Sequence, residues 1–323
     1  MAVMEDKLPV EKAHRLEKQQ NGQAWLIQFV WARSAVGIIG GAPKCCKSWL
    51  GLEMAVSVAS GAPCLDRFAV EDKGPVLIFL AEDAVCSVRS RIDALCGHRN
   101  LDIRRLDLYV ITAPALRLDL AVDQKRLKAT LGDLRPRLLV LDPLVRLHRL
   151  DENSASDISK LLGFVRELQR TYDCAIALVH HASKKHHAQP GQALRGSSDL
   201  HAFGDSNAYL ARRNKRLVLT LEHRSAKPPD PFELELISHA DGSQPHLQIV
   251  STDTTNANQS LPHRVLTVLN HAQSPMTRTS IRNQLKVNNQ RVGLALADLD
   301  RKGLVVHVKT GWVSLSTPSG VNQ

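Results

Sequence analysis

The run Val36-Gly37-Ile38-Ile39-Gly40-Gly41-Ala42-Pro43-Lys44-Cys45-Cys46-Lys47-Ser48 constrains this chain more than any other stretch. An apolar segment ends in glycines, a tight loop follows, and Lys47-Ser48 opens the apolar helical pattern Trp49–Ala59, which stops at Gly61. A strand, loop and helix in that order turn backbone N–H groups inward around phosphates at a helix N-terminus. Lys47 supplies a cation for the β- and γ-oxygens, and Ser48 a hydroxyl for Mg²⁺. The spacing from Gly41 to Ser48 is that of a phosphate-binding loop with one departure: Cys46 stands where the second glycine belongs. A glycine there lets the backbone approach the phosphate closely, so Cys46 has to fit a small side chain into a tight turn. Gly41, Ala42, Pro43, Lys44, Cys45, Cys46, Lys47, Ser48 and Trp49 are therefore the candidate nucleotide-binding residues, with ATP and Mg²⁺ as the implied ligands.

A chain of 323 residues has room for one large domain with a small satellite, or for two of medium size. It holds no run of about 18 apolar residues, and Glu5, Asp6, Lys7, Glu11 and Lys12 charge its first residues. These features predict no membrane span, no signal peptide and a cytoplasmic protein. The six cysteines (45, 46, 64, 86, 96 and 174) lack paired knuckle spacing and read as reduced thiols. Neighbouring Cys45 and Cys46 are small buried residues or a redox switch on the loop, the first being the simpler reading. The net charge of +10 is uneven, since Leu261 to Gln323 carries eight Lys/Arg against two Asp. A basic satellite on a nearly neutral core points to a nucleic-acid partner.

Short apolar runs alternate with helical patterns along the first two thirds, the signature of an α/β fold. Val36–Ile39, Val76–Leu80, Leu108–Ile111, Leu138–Leu141 and Ala175–Val179 are nearly continuous in apolar residues, as parallel strands buried on both faces must be. Ile158, Leu161, Leu162, Val165 and Leu168 mark an amphipathic crossover helix, and Val10–Gln20 reads as a helix in the N-terminal segment. From Asn207–Leu210 through Leu217–Leu221 to Phe232–Ile237 the turns shorten, which predicts antiparallel strands. The domains expected are an N-terminal segment 1–24, a P-loop core 25–240, a polar linker 241–260 with a short strand at His246–Val250, and a C-terminal domain 261–323. In the last, three helical patterns and the hairpin Leu304–Val308 with Trp312–Leu315 spell a winged helix-turn-helix.

Three strand ends carry the chemistry. Leu138-Leu139-Val140-Leu141-Asp142 is an apolar strand ending in a carboxylate, and Asp142 is the candidate Mg²⁺ residue opposite Ser48. Val76–Leu80 runs into Glu82 and Asp83, on a strand expected beside the phosphate loop; Glu82 is the candidate base for the attacking water. Val179-His180-His181 closes a third strand, where either histidine is a candidate sensor of the γ-phosphate. A metal site formed with His186 and His187 is the weaker reading, because no carboxylate or thiol accompanies them at ligand spacing. The loop after these histidines is long and basic, and Lys184 and Lys185 are candidate DNA contacts.

At these residues the chain resembles the RecA-like hexameric ATPases, most closely the plasmid RepA-type replicative helicases. The resemblance rests on residues 41–49, Leu-Ala-Glu-Asp at 80–83, Leu-Val-Leu-Asp-Pro-Leu at 139–144, Val-His-His at 179–181, Leu-Arg-Gly-Ser-Ser at 194–198 and Asp-Ser at 205–206. It implies a RecA-like core with a mainly parallel sheet, assembled as a homo-hexamer with ATP between neighbours. It also implies Glu82 as catalytic glutamate, a histidine sensor at His180 or His181, and single-stranded DNA in the ring channel near Lys184, Lys185 and Arg195. An arginine near the end of a late strand then reaches the neighbour's γ-phosphate. Arg224 is the candidate, with Arg212 or Arg213 as alternatives. Histidine at 223, where lysine is usual, and Cys46 are the departures.

Two functions follow. One is an ATP-driven, helicase-like motor or remodeller of mobile or plasmid DNA. The other is a DNA-binding initiator or regulator whose assembly ATP controls, without unwinding. Aromatic residues make up 4% of the chain and the central loop has none, so a grip on single strands is electrostatic. Duplex DNA is expected at the C-terminal domain, through Asn289, Gln290 and Arg291 on its third helix and Lys286 and Lys309 beside it. A protein partner is the third option for that domain.

Overall fold

The computed structural model describes residues 10–15, 23–152, 154–181, 199–213, 216–238, 244–250, 261–272, 274–285, 287, 289–308 and 310–315. The chain divides into two compact units, Met1–Val250 and Ser251–Gln323. In the first unit the elements are β1 (Trp25–Ile27), β2 (Trp31–Ala32), β3 (Val36–Gly41), α1 (Lys47–Ser60), β4 (Val76–Leu80), α2 (Val85–His98), β5 (Leu108–Val110), α3 (Ala121–Leu134), β6 (Leu138–Asp142), α4 (Ala155–Tyr172), β7 (Ala175–His181), α5 (Asp199–Phe203), β8 (Ser206–Arg213), β9 (Arg216–His223), β10 (Phe232–Ile237) and β11 (His246–Ile249). Nine strands form one sheet in the order β11-β10-β9-β8-β3-β7-β6-β4-β5. Pairing from β8 to β5 is parallel; β9, β10 and β11 extend the sheet antiparallel.

The parallel strands predicted from apolar continuity are all present, but β5 is an edge strand with Tyr109 exposed rather than one buried on both faces. Alternate side chains enter two cores. Ile39, Ile78, Val140, Ala177 and Val179 pack with α1 and α2 on one face, whereas Ile38, Leu77, Leu141, Ile176 and Leu178 pack with α3 and α4 on the other. Gly37 and Gly41 let β3 lie close to β8, since an added Cβ would sit 1.5 Å from the Ser206 carbonyl oxygen and 2.3 Å from that of Leu210. The central loop, residues 182–198, lies outside the described residues.

Three features differ from the sequence expectation. His246–Ile249 is not a linker element: it pairs with β10 as the outermost strand, so the sheet runs past residue 240 to Ile249. β4 is not beside the strand of the phosphate loop, because β7 and β6 stand between β3 and β4. In the N-terminal segment, residues 10–12 are not helical and Ala13–Arg15 is a single 3-10 turn, while residues 16–20 of the expected helix lie outside the described residues.

Helix α1 is buried along nearly its whole length, and it carries a charge into the core. Glu53 is fully buried; it accepts from the Leu65 backbone N–H at 2.6 Å and is ion-paired to Arg99, whose side chain is also buried. Removing one partner of such a pair leaves an uncompensated buried charge. Arg99→Ala is therefore expected to cost about 3–5 kcal/mol in urea unfolding, and the double replacement Glu53→Leu with Arg99→Leu to cost less than that single change.

The second unit contains α6 (Leu261–His271), α7 (Arg278–Leu285), α8 (Asn289–Arg301) and an antiparallel hairpin, β12 (Val305–Val308) with β13 (Gly311–Ser314). Val265, Leu269, Ile281, Leu285, Val292, Leu296, Leu299 and Val305 form its core. Met276 exchanges backbone hydrogen bonds with Trp312 at 3.0 and 2.8 Å, tying the entry to α7 onto the hairpin.

Candidate nucleotide site at the strand ends

The sheet order sets the C-terminal ends of β3, β7, β6 and β4 side by side, and these ends present Gly41, His181, Asp142 and then Glu82. Open parallel sheets offer ligands a crevice at this edge. From Gly41 the loop turns into α1, with Cys45 and Lys47 buried and Ala42, Pro43 and Lys44 exposed. The first turn of α1 has neither an acidic residue nor a side-chain cap, which leaves its amide donors for an anion. Lys47 Nζ donates to the Ala42 carbonyl at 2.9 Å, bracing the loop from inside. Burial lowers the pKa of Lys47, against the pull of Cys45, Asp142, Cys46 and Glu82 nearby.

Cys46 adopts φ 59°, ψ 27°, the left-handed conformation that glycine takes at little cost. The backbone thus keeps the loop's turn, and Cys46 lines a cavity of about 540 Å³ together with Arg212, Arg216, Leu217, Leu234 and Glu235. Burial raises its pKa, with Arg212 opposing. Cys46→Gly is expected to raise stability by about 1 kcal/mol, read as a higher thermal midpoint, because a non-glycine residue in this conformation costs that much.

Asp142 is buried, its Oδ2 has no hydrogen-bond partner, and Ser48 hydrogen-bonds its side chain. Burial pushes its pKa up to about 6, with Asp83 and Glu82 adding to the rise and Ser48 and Lys47 opposing it. A carboxylate with an orphaned buried oxygen next to a serine hydroxyl fits a magnesium ion, and Ser48 and Asp142 are the residues that would hold one. The folded state favours the protonated form, so stability is lost as pH rises from the ordinary value of 3.8 to about 6, and above that the cost is constant. Asp142→Asn is expected to stabilise the nucleotide-free protein by about 2–3 kcal/mol at pH 7.5, and by less at pH 5, in thermal unfolding.

The adjacent acids Glu82 and Asp83 are separated by their partners. Both oxygens of Asp83 accept from Arg91, at 2.8 and 2.9 Å, and the Arg91 guanidinium lies 5.7 Å from the centre of the Trp49 ring. Glu82 is half-exposed and accepts from Arg146 Nε at 2.7 Å. Strand alternation also divides the two histidines. His181 continues the face of Ala177 and Val179, toward α1, and burial with Lys47 close by lowers its pKa. His180 continues the opposite face, where its Nδ1 is 3.8 Å from Glu152 Oε1; the same oxygen is 3.9 Å from Nε2 of buried His148. Of the two candidate sensors, His181 lies on the side of Lys47 and α1, and His180 lies in a second buried polar cluster with His148 and Glu152.

Arg224 is far from its own phosphate loop. Asp205 donates its backbone N–H to the carbonyl of Val36, at the start of β3, and Arg224 pairs with Asp205 at 3.0 Å while donating to the carbonyls of Ala202 and Phe203. His223 bonds Ser206 Oγ and the Phe29 carbonyl, and burial lowers its pKa. Arg212 lies at the other end of the sheet, beside Cys46. Lys184, Lys185, Arg195, Lys286 and Lys309 fall outside the described residues. Asn289 and Arg291 are exposed at the start of α8, where the Asn289 carbonyl accepts from Arg278; the side chain of Gln290 is not among those described. Sequence reasoning did not find Arg146, Glu152 or His148, whose only signal is their proximity to Asp142 along the chain.

Residues 4–187 match the AAA domain family, a span that exceeds half of the chain and contains all four strand ends. The chain belongs to that family. Its first unit is accordingly a P-loop ATPase core, of a family that implies nucleotide binding. Among solved structures, it is similar to the RadB recombinase, with a TM-score of 0.48 and 14% identity over 68% of this chain and 92% of that one. Among the described residues, no helix is long and apolar enough to cross a membrane.

Proposed function

We propose that this protein is an ATP-hydrolysing, ring-forming motor or remodeller of the RecA and RepA type that acts on DNA. The observation that carries the reading is the single row Gly41, His181, Asp142, Glu82 along one edge of the sheet. In this reading Lys47 and the loop amides bind the β- and γ-phosphates, and Ser48 and Asp142 hold Mg²⁺, which supplies charge neutralisation at the phosphoryl group. Glu82 takes the proton of the attacking water as its oxygen bonds to the γ-phosphorus and the bond from the β–γ bridging oxygen to that phosphorus breaks, giving ADP and inorganic phosphate. His181, rather than His180, senses the γ-phosphate.

In the same reading Arg224, which pairs with Asp205 at the end of the sheet opposite its own phosphate loop, serves a neighbour's nucleotide in a ring, a hexamer in the RepA type. The second unit, three helices and a hairpin with a basic balance, supports a winged helix that holds duplex DNA through Asn289, Gln290 and Arg291, with Lys286 and Lys309 on the backbone. Lys184, Lys185 and Arg195 serve single-stranded DNA in the channel. A second reading of the C-terminal unit, docking of a protein partner, is favoured by Leu294, which is 68% exposed on α8. The alternative of an ATP-controlled initiator without unwinding draws on Cys46, which fills the position of a glycine that such loops normally keep.

Steady-state ATP turnover with and without single-stranded DNA, together with native mass measurement in ATP, tests the proposal. Glu82→Gln is expected to keep ATP bound and to slow hydrolysis about 10²–10⁴-fold, with Lys47→Ala as the variant that loses nucleotide. Equal turnover in Glu82→Gln and the parent would remove Glu82 from the reaction, and a monomer under all nucleotide conditions would remove the ring.

A further inference from the structure

We propose that the outer edge of β12 is a self-pairing surface, at which two copies of this chain join their C-terminal hairpins into one four-stranded antiparallel sheet. The pairing does not depend on the ATPase reading.

The hairpin has two unlike faces. Val305 lies in the core of the C-terminal unit, and Trp312 packs against that core from the other strand. Leu304, Val306 and Val308 alternate with Val305 and so lie on the opposite face, where Val313 stands across from Val306 and the Leu315 N–H donates to the Leu304 carbonyl at 3.0 Å. That face is in solvent. Leu304, Val306, Val308 and Leu315 all rank among the exposed large apolar side chains of the described residues. The solvated side of an antiparallel ribbon reads as polar, and a contiguous apolar one marks an interaction site.

The two edges differ as well. Met276 exchanges backbone hydrogen bonds with Trp312 and so covers the outer edge of β13. Trp312 therefore turns its backbone groups away from β12, and its cross-strand partner His307 turns its own away from β13. Among the described residues, no strand pairs with that side of β12. Folds protect such edges with charges, proline or a bulge. Leu304-Val305-Val306-His307-Val308 has no charged residue and no proline, and the pairing of β12 with β13 runs without a break in register.

Charge and symmetry select a second copy as the occupant. From Leu261 onward the chain carries eight Lys/Arg against two Asp, so two such units repel over most of their surface, and the uncharged strand is where they can approach. The strand also complements itself. With a two-fold axis at His307, each His307 N–H donates to the other's carbonyl, and Val306 of one copy meets Val308 of its partner on the aliphatic face. One short strand per copy buries less than the roughly 800 Å² per partner of stable complexes, so the pairing is weak alone and gains strength where copies already share an assembly.

The test is disulfide trapping in the full-length protein. His307→Cys is made in a Cys86→Ser background, which removes an exposed native thiol, and is treated with copper-phenanthroline; Asp300→Cys, at an exposed position on α8, serves as the collision control. Opposed residues of a hydrogen-bonded antiparallel pair have Cα atoms about 5.5 Å apart, within the span of a disulfide. The His307→Cys chain is expected to become a covalent dimer joined 307 to 307, while the Asp300→Cys chain stays monomeric. Adding Val306→Lys with Val308→Lys should slow the trapping about ten-fold or more, because it sets like charges against each other in the aliphatic contact. If the lysine variant does not fold, Val306→Thr with Val308→Thr, which keeps the side-chain shape, is held to the same slowing. A His307→Cys chain that stays monomeric overturns self-pairing and leaves the face to a different protein. Equal trapping at position 300, or trapping that neither pair of substitutions slows, overturns it also.

Discussion

Asp142 is a carboxylate taken out of water with one of its oxygens unpartnered, and the arrangement around it is organised by that cost. An isolated buried charge is among the most expensive groups a fold can contain, and it shifts its pKa or finds a counter-charge. Here the pKa rises to about 6 and the nearby cation is Lys47, itself buried and correspondingly less willing to carry its proton. Lys47 also donates to the Ala42 carbonyl, so neither group reaches a full ion pair. The site is thus held in a state that a polyanion and a dication together would relieve, the anion pairing with Lys47 and the cation with Asp142.

That tension is affordable because the rest of the first unit is packed tightly. Two apolar cores sandwich the parallel strands, and α1, which carries the loop's lysine and serine, is buried along most of its length. The one acid in α1, Glu53, is met by Arg99 and a backbone amide, yet its Oε2 has no partner and burial raises its pKa as it does that of Asp142.

Much of this was legible in the sequence, for physical reasons. Strands buried on both faces have to be continuously apolar, so Val76–Leu80 and Leu138–Leu141 declared themselves; the loop from Gly41 to Ser48 carried its own chemistry. The order of strands in the sheet did not declare itself. Adjacency depends on which crossover passes over which face, and the expectation that Glu82 stood on the strand beside β3 failed at that point. The short strand at His246–Ile249 was legible as a strand, but its place at the edge of the sheet was not, because a polar background reads as a linker and an edge strand does not need a fully apolar sequence. The choice between His180 and His181 was undecidable from residue type alone, since only the face of β7 on which each falls separates them. Arg146 was invisible for a related reason: a single arginine in a short turn has no periodicity or motif.

The alternation of β7 has a consequence for how this chain can tolerate change in length. In a strand, gaining or losing one residue rotates everything beyond it to the opposite side of the sheet. A single-residue insertion early in β7 would turn His181 to the face of Glu152 and put His180 in its place beside the phosphate loop, and the same event early in β6 would turn Asp142 away from Ser48. Length variation in the connection between β5 and α3 meets no such rule. Indels should accordingly accumulate in the connections of this fold and be excluded from its central strands, even where every substituted residue would remain apolar.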